Sequence, residues 1–121
     1  MIELTRANFE EVVDQSAIVL IECWAPGCGA CAQFDPIFAS VAENNSSHVF
    51  ARMNVMTEDK LGEVFEISHT PAIMIYRDGL LLLRKPGNFS EDALQDMVQQ
   101  AEGLDMDAVR ADIEASHPPN Q

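Results

Sequence analysis

The stretch Trp24-Ala25-Pro26-Gly27-Cys28-Gly29-Ala30-Cys31 places two cysteines three positions apart, directly after an apolar run. A pair at this spacing fits a redox-active dithiol, half of a zinc site, or two inert core cysteines. Zinc needs about four ligands, yet the sequence has no second Cys-x-x-Cys and its three histidines show no ligand spacing. The residues therefore favour redox chemistry, and we expect neither a metal nor a bound cofactor.

The cysteine pair lies where a predicted strand gives way to a predicted helix. Residues 17–24 are nearly all apolar, which is typical of a strand buried on both faces of a sheet. Beyond the glycine-rich turn, apolar residues recur at helical spacing: Phe34, Ile37, Phe38 and Val41. A helix start stabilises a thiolate, because its N–H groups are unpaired and carry partial positive charge. We therefore expect a lowered pKa for Cys28, with Cys31 one turn away and placed to attack a mixed disulfide.

The rest of the sequence alternates strands and helices. Predicted strands cover residues 49–55, 71–76 and 80–84, the last two joined by a hairpin turn at 77–79 and the last broken by Pro86-Gly87. Predicted helices cover 6–14 with Thr5 as the cap, a short segment with Leu61, Val64 and Phe65 facing inward, and the segment between Ser90 and Gly103. Pro36 is expected to kink the helix that carries it. The order β-α-β-α-β-α-β-β-α predicts an α/β fold, a central sheet with helices on both faces.

Composition limits the partners. The chain has 121 residues, 47% of them hydrophobic, enough for one core, and its formal net charge of −13 disfavours nucleic acid and membrane surfaces. The acidic surface either aids solubility or steers a basic partner. The N-terminal residues carry no visible secretory signal. We expect a monomer in the cytoplasm.

These residues resemble the thioredoxin family over about residues 3–103. The resemblance rests on Trp24 to Cys31, then Pro36, Thr70-Pro71 and Gly87, in family order and spacing. It implies a thioredoxin-like fold with a central mixed sheet, exchange of disulfides with protein substrates without a cofactor, and reduction by a thioredoxin reductase or similar dithiol donor. Such a protein would serve electron transport and cell redox homeostasis.

The resemblance also implies roles for single residues. Cys28 would be the attacking thiol, Cys31 the resolving thiol, Pro71 a cis-proline beside the disulfide, and Glu22 a buried acid. A carboxyl in an apolar sheet has a raised pKa, so Glu22 would accept a proton from Cys31 near neutral pH. The residues expected to shape the substrate site are Trp24, Gly27, Gly29, Ala30, Thr70, Pro71 and Gly87. The alternative for Glu22 is a partly solvated strand end.

Some positions depart from the family pattern. Gly27 replaces a tryptophan, Ala30 a proline, and Thr70 the usual isoleucine, which leaves substrate and reductase recognition open. Arg52 occupies the position of a lysine, and pairing with Glu22 would lower the carboxyl pKa.

Three further expectations concern the surroundings of the site. Cys23 is expected to be a buried core residue, and His69 either stabilises the Cys28 thiolate or is an exposed loop residue. Residues 1–103 would form the domain, and 104–121 a short acidic helix bearing Met106, Val109 and Ile113, with a frayed tail from residue 116. This helix packs on its own domain or on a partner. The alternative function is an adaptor or chaperone with little redox turnover.

Overall fold

A five-stranded mixed sheet runs through the centre of the structure, a computed structural model that describes residues 1–116. The strands are β1 (Ile2–Glu3), β2 (Ile18–Trp24), β3 (Val49–Asn54), β4 (Ala72–Arg77) and β5 (Leu80–Pro86), arranged in the order β1-β3-β2-β4-β5. β1 and β2 run parallel to β3, whereas β4 pairs antiparallel with both β2 and β5. β2 is central and buried, which explains its almost continuous apolar sequence.

Helices cover both faces of this sheet. They are α1 (Phe9–Gln15), α2 (Gly29–Asn44), α3 (Asp59–Val64), α4 (Glu91–Glu102) and α5 (Met106–Ser116). Side chains of α1 and α3 pack in one core cluster, and side chains of α2 and α4 pack in the other. Successive strand residues point to opposite faces, so odd-numbered residues of β2 meet α1 and even-numbered residues meet α2. The predicted fold class and element order are confirmed.

The β4–β5 hairpin has the turn that its sequence predicts. Asp78 and Gly79 both have positive φ, at 51° and 80°. A two-residue turn of this kind matches the twist of the flanking strands and favours the Asp-Gly pair. The turn joins β5 to β4 at the sheet edge, and β4 in turn borders β2.

Three details of the predicted elements are wrong: a helix cap, an inward-facing residue and a strand end. Asn8, and not Thr5, is the N-cap of the first helix. The Asn8 side chain makes no capping bond to the helix and instead accepts from the Thr5 N–H, which holds the turn before the helix. Val64 is 71% exposed, since only Leu61 and Phe65, four residues apart, pack against the core. β5 continues to Pro86, an edge position where a missing N–H is tolerated.

The C-terminal helix is held at its start. Arg77 Nη1 donates to the carbonyl oxygens of Ala101 at 2.7 Å and Leu104 at 2.8 Å, which fixes the end of α4 and the link to α5. Met106 is buried, but Ile113 is exposed. The predicted frayed tail lies almost wholly outside the described residues, and the domain boundary at residue 103 stays a prediction. No helix within residues 1–116 has the length and apolar character needed to traverse a bilayer.

Candidate active site

A disulfide joins Cys28 and Cys31 where β2 leads into α2. The two Cα atoms are 5.2 Å apart. Cys28 is the N-cap of α2, and the Cys31 N–H donates to Cys28 Sγ at 3.1 Å. Cys28 is half-buried, whereas Cys31 is only 2% exposed. The outer sulfur therefore sits at a helix start, where backbone N–H groups favour a thiolate.

The loop before β4 forms the second wall of the site. Cys28 Sγ lies 3.5 Å from the carbonyl oxygen of Thr70, and the Thr70–Pro71 peptide bond is cis. The Gly87 N–H donates to the Pro71 carbonyl oxygen at 2.9 Å. Three of the residues expected to shape the substrate site thus lie together beside Cys28.

The remaining predicted substrate-site residues lie between the last residue of β2 and the first turn of α2. Gly27, Gly29 and Ala30 are exposed, and Trp24 is half-buried. Gly27 has a φ of +76°, a left-handed conformation that costs other residues roughly 1–2 kcal/mol. This backbone turn presents Cys28 at the surface immediately after a buried strand.

Glu22 is fully buried between β2 and α2. Arg52 lies opposite it in the β2–β3 register, and its Nε donates to Glu22 Oε1 at 3.1 Å. Burial is the main cause that raises the pKa of Glu22 from 4.5 to about 8, and the neighbouring Asp35 carboxyl raises it further. Arg52 lowers the pKa, but by less. The expected pairing with Arg52 is confirmed, and the pKa of Glu22 is raised, as expected of a carboxyl in an apolar sheet. The solvated strand-end alternative is wrong, because Glu22 is fully buried.

Asp35 is the site residue that the sequence interpretation missed. Arg52 Nη2 donates to Asp35 Oδ2 at 3.2 Å, so one guanidinium contacts both carboxyl groups. The signal was available in the spacing, because Asp35 follows Cys31 by four residues and therefore shares its face of α2. Nothing in the local sequence indicates that this face also meets Glu22.

Cys23 and His69 lie outside this arrangement. Cys23 is fully buried on the opposite face of β2, as predicted, and burial together with the Glu22 charge raises the pKa of its thiol to about 12. His69 is exposed, and its effect on Cys28 stays a prediction. Within the described part of the chain, no three His, Cys, Asp or Glu side chains cluster so as to hold a metal ion.

Comparison with known proteins assigns this chain to a family. The family model described as Thioredoxin matches residues 1–100. The chain belongs to the thioredoxin family. As a thioredoxin-family protein with a Cys-x-x-Cys disulfide, it is a thiol–disulfide oxidoreductase.

Individual thioredoxin relatives support the assignment. The chain is 40% identical over 109 residues to "Putative thioredoxin 2" of Streptomyces coelicolor, covering 90% of this chain and 81% of that protein. It is 31% identical to thioredoxin C-3 of Corynebacterium nephridii, covering 82% and 69%. A mutant thioredoxin from Halobacterium salinarum superimposes with a TM-score of 0.79 at 22% identity, covering 86% of this chain and 92% of that one. This last likeness concerns the fold alone.

Proposed function

We propose that this oxidoreductase exchanges disulfides with protein substrates through Cys28. In the reducing direction, the Cys28 thiolate attacks a substrate disulfide, forming a mixed disulfide and releasing one substrate sulfur as a thiolate, which takes a proton from solvent. Cys31, as a thiolate, then attacks Cys28 Sγ. The mixed disulfide breaks, the second substrate sulfur leaves with the electron pair, and the Cys28–Cys31 disulfide remains.

The difference in exposure between the two sulfurs supports this division of roles. Cys28 is half-buried at the helix start and open to a second protein, whereas Cys31 is buried beneath it. A substrate sulfur reaches the outer cysteine first, and the inner cysteine reaches only the sulfur of Cys28. This arrangement of the Cys28–Cys31 pair is the observation that carries the proposal.

Glu22 is the proposed proton partner of Cys31. With a pKa raised to about 8, Glu22 holds its proton in most molecules at pH 7 and can protonate Cys31 when the disulfide opens. The fraction of Glu22 that is ionised accepts the proton from Cys31 in the step in which Cys31 attacks as a thiolate. A carboxyl with an ordinary pKa would be ionised at neutral pH and could supply no proton.

The substrate segment is proposed to lie across Thr70 and Pro71. The Thr70 carbonyl oxygen is 3.5 Å from Cys28 Sγ, so main-chain contact at Thr70 would hold a substrate cysteine within reach of the nucleophile. Gly87, bonded to Pro71, and the exposed Gly27, Gly29 and Ala30 would border that segment. The half-buried Trp24 would contact that segment from the end of β2.

The electron donor is proposed to be a thioredoxin reductase or another dithiol protein. We propose a cytoplasmic location, because a chain that keeps a free thiol at Cys23 and carries an exchangeable disulfide suits a compartment in which thiols stay reduced. The expectation of a monomer stays a prediction, to be checked by light scattering.

Reduction of insulin by dithiothreitol tests the proposal. Wild type should accelerate the reduction, and Cys28→Ser should abolish the acceleration. Cys23→Ala is the matched control, since it removes a thiol on the opposite face of β2 and should retain the rate. A Cys28→Ser variant as fast as wild type would mean that the chain acts as an adaptor or chaperone and not through its cysteines.

A further inference from the structure

The Arg52 guanidinium lies within 4 Å of three carboxyl groups. Its Nε contacts Glu22 at 3.1 Å, its Nη2 contacts Asp35 at 3.2 Å, and its Nη1 lies 3.6 Å from Glu3 Oε1. Glu22 is buried, the Asp35 side chain is 40% exposed, and Glu3 is exposed. The three carboxyls therefore differ in their access to water while they share one cation.

Glu22 and Asp35 each keep one oxygen that Arg52 does not reach. Glu22 Oε2 and Asp35 Oδ1 are both buried, and neither has a hydrogen-bond partner within residues 1–116. Two carboxylates that contact one guanidinium and each bury an unpaired oxygen repel each other, whereas a single proton shared between them satisfies both oxygens. The neighbouring Asp35 carboxyl raises the pKa of Glu22, and a hydrogen bond between the two carboxyls would favour the neutral form of Glu22.

We propose that Asp35 is a positioning residue that shares the Glu22 proton and so keeps Glu22 in the acid form that serves Cys31. The inference rests on the proposed function of Glu22 and adds the residue that prepares it. The step moves a proton and no electrons: Cys31 leaves the opening disulfide as a thiolate, takes the proton from Glu22, and becomes a thiol. The Glu22 carboxylate then regains a proton from solvent beside the partly exposed Asp35.

The surroundings of Glu22 offer few other groups that could set its protonation. The charged groups that act on it are Arg52 from β3 and Asp35 from α2. On β4 the residue opposite Glu22 is Ile73, which carries no charge. Arg52 favours the charged carboxylate, so of these two side chains Asp35 is the one that favours the proton.

Infrared titration of the oxidised protein tests the proposal directly. The carbonyl stretch of a protonated buried carboxyl should disappear as the pH rises, with a midpoint near pH 8, and Glu22→Gln should remove the band. Asp35→Asn should lower the midpoint by about one pH unit, because the amide removes a like charge and donates to the Glu22 carboxylate. At pH 7 this change converts Glu22 from mostly protonated to about half protonated. Asp35→Glu should restore the wild-type midpoint.

Glu3→Gln is the matched control. It removes the third carboxylate from Arg52 without touching Glu22, so its midpoint should equal that of wild type. An unchanged midpoint in Asp35→Asn, or an equal shift in Glu3→Gln, would overturn the proposal, the latter because it would assign the effect to the charge balance of Arg52. The titration needs no disulfide exchange. A shifted midpoint in a protein that fails to reduce insulin would refute the proposed function alone.

Discussion

Replacing the buried Glu22 with glutamine should change how stability depends on pH. The folded protein holds the Glu22 proton up to about pH 8, whereas the unfolded chain releases it near pH 4.5. Between these values the unfolded state binds fewer protons than the folded state, so the free energy of unfolding falls as the pH rises. The contribution is fully present below pH 4.5 and is lost as the pH passes through about 8. Glutamine has no proton to release and lacks this slope.

The size of the effect follows from the displacement of the pKa. Each pKa unit corresponds to about 1.4 kcal/mol, so wild type should lose about 4 kcal/mol relative to Glu22→Gln between pH 5 and pH 8.5. Domains of this kind are stable by only about 5–15 kcal/mol, so the loss is a large part of the total. The high negative charge of the chain adds its own pH dependence, but equally to both proteins, and the difference between them removes it.

Guanidinium chloride unfolding measures this difference. The oxidised proteins are compared at pH 5, 7 and 8.5, where Cys28 and Cys31 do not titrate because they form the disulfide. The denaturant slope should be equal for the two proteins, so that the midpoints report stability alone. Parallel curves across the whole range would refute the reasoning. They would show that the ion pair with Arg52 outweighs burial and that Glu22 is ionised in the folded protein.

Three further predictions concern the connection between β2 and α2. Cys31→Ser should accumulate mixed disulfides through Cys28, seen by non-reducing electrophoresis, and equal trapping through Cys31 in the reciprocal variant would show that the role assignment is wrong. Ala30→Pro removes the Ala30 N–H from the start of α2, where it is available to the Cys28 thiolate once the disulfide opens. A hydrogen bond of that kind is worth about 1.5 kcal/mol, so the variant should be more reducing by roughly 30 mV in a glutathione equilibrium, and an equal or higher potential would contradict this. Gly27→Ala should lower the free energy of unfolding by about 1–2 kcal/mol, because the φ of Gly27 is +76°. An added Cβ meets no atom within 4 Å at Gly27 or at Gly29, so Gly29→Ala should cost nothing in a thermal unfolding comparison. Equal effects at the two glycines would contradict the backbone argument.

The fold was predictable because its signals are local. The apolar run of β2, the Asp78-Gly79 turn and the cap at Ser90 each follow from a few neighbouring residues, and the structure contains all three. The cysteine pair was predictable for the same reason, since its spacing sets both sulfurs on one turn of α2. The errors at Thr5 and Val64 arose where a neighbour competes: Asn8 takes the cap, and Leu61 with Phe65 fills the short buried face of α3.

A raised pKa for Glu22 was predictable from its place in an apolar strand, but the contact with Asp35 was not. The pKa of Glu22 depends on the sum of burial, the contact with Arg52 on β3 and the contact with Asp35 on α2. These residues are 30 and 13 positions away along the chain, so their meeting depends on strand register and helix packing. A pairwise view of Glu22 and Arg52 gives the wrong direction of the pKa shift, because it omits both burial and the second carboxyl.

The pKa of Glu22 is raised although an arginine contacts its carboxyl group. Arg52 divides its donors between Glu22 and Asp35, lies 3.6 Å from Glu3, and stacks over the Trp24 ring with Cζ 4.5 Å from its centroid. A planar group with a fork of donors can bridge separate carboxyls and cover an aromatic face, whereas a lysine ammonium is a point charge. Glu22 is nevertheless fully buried, and burial together with the Asp35 carboxyl raises its pKa by more than the Arg52 contact lowers it. Burial is the largest of these causes and determines the direction of the shift.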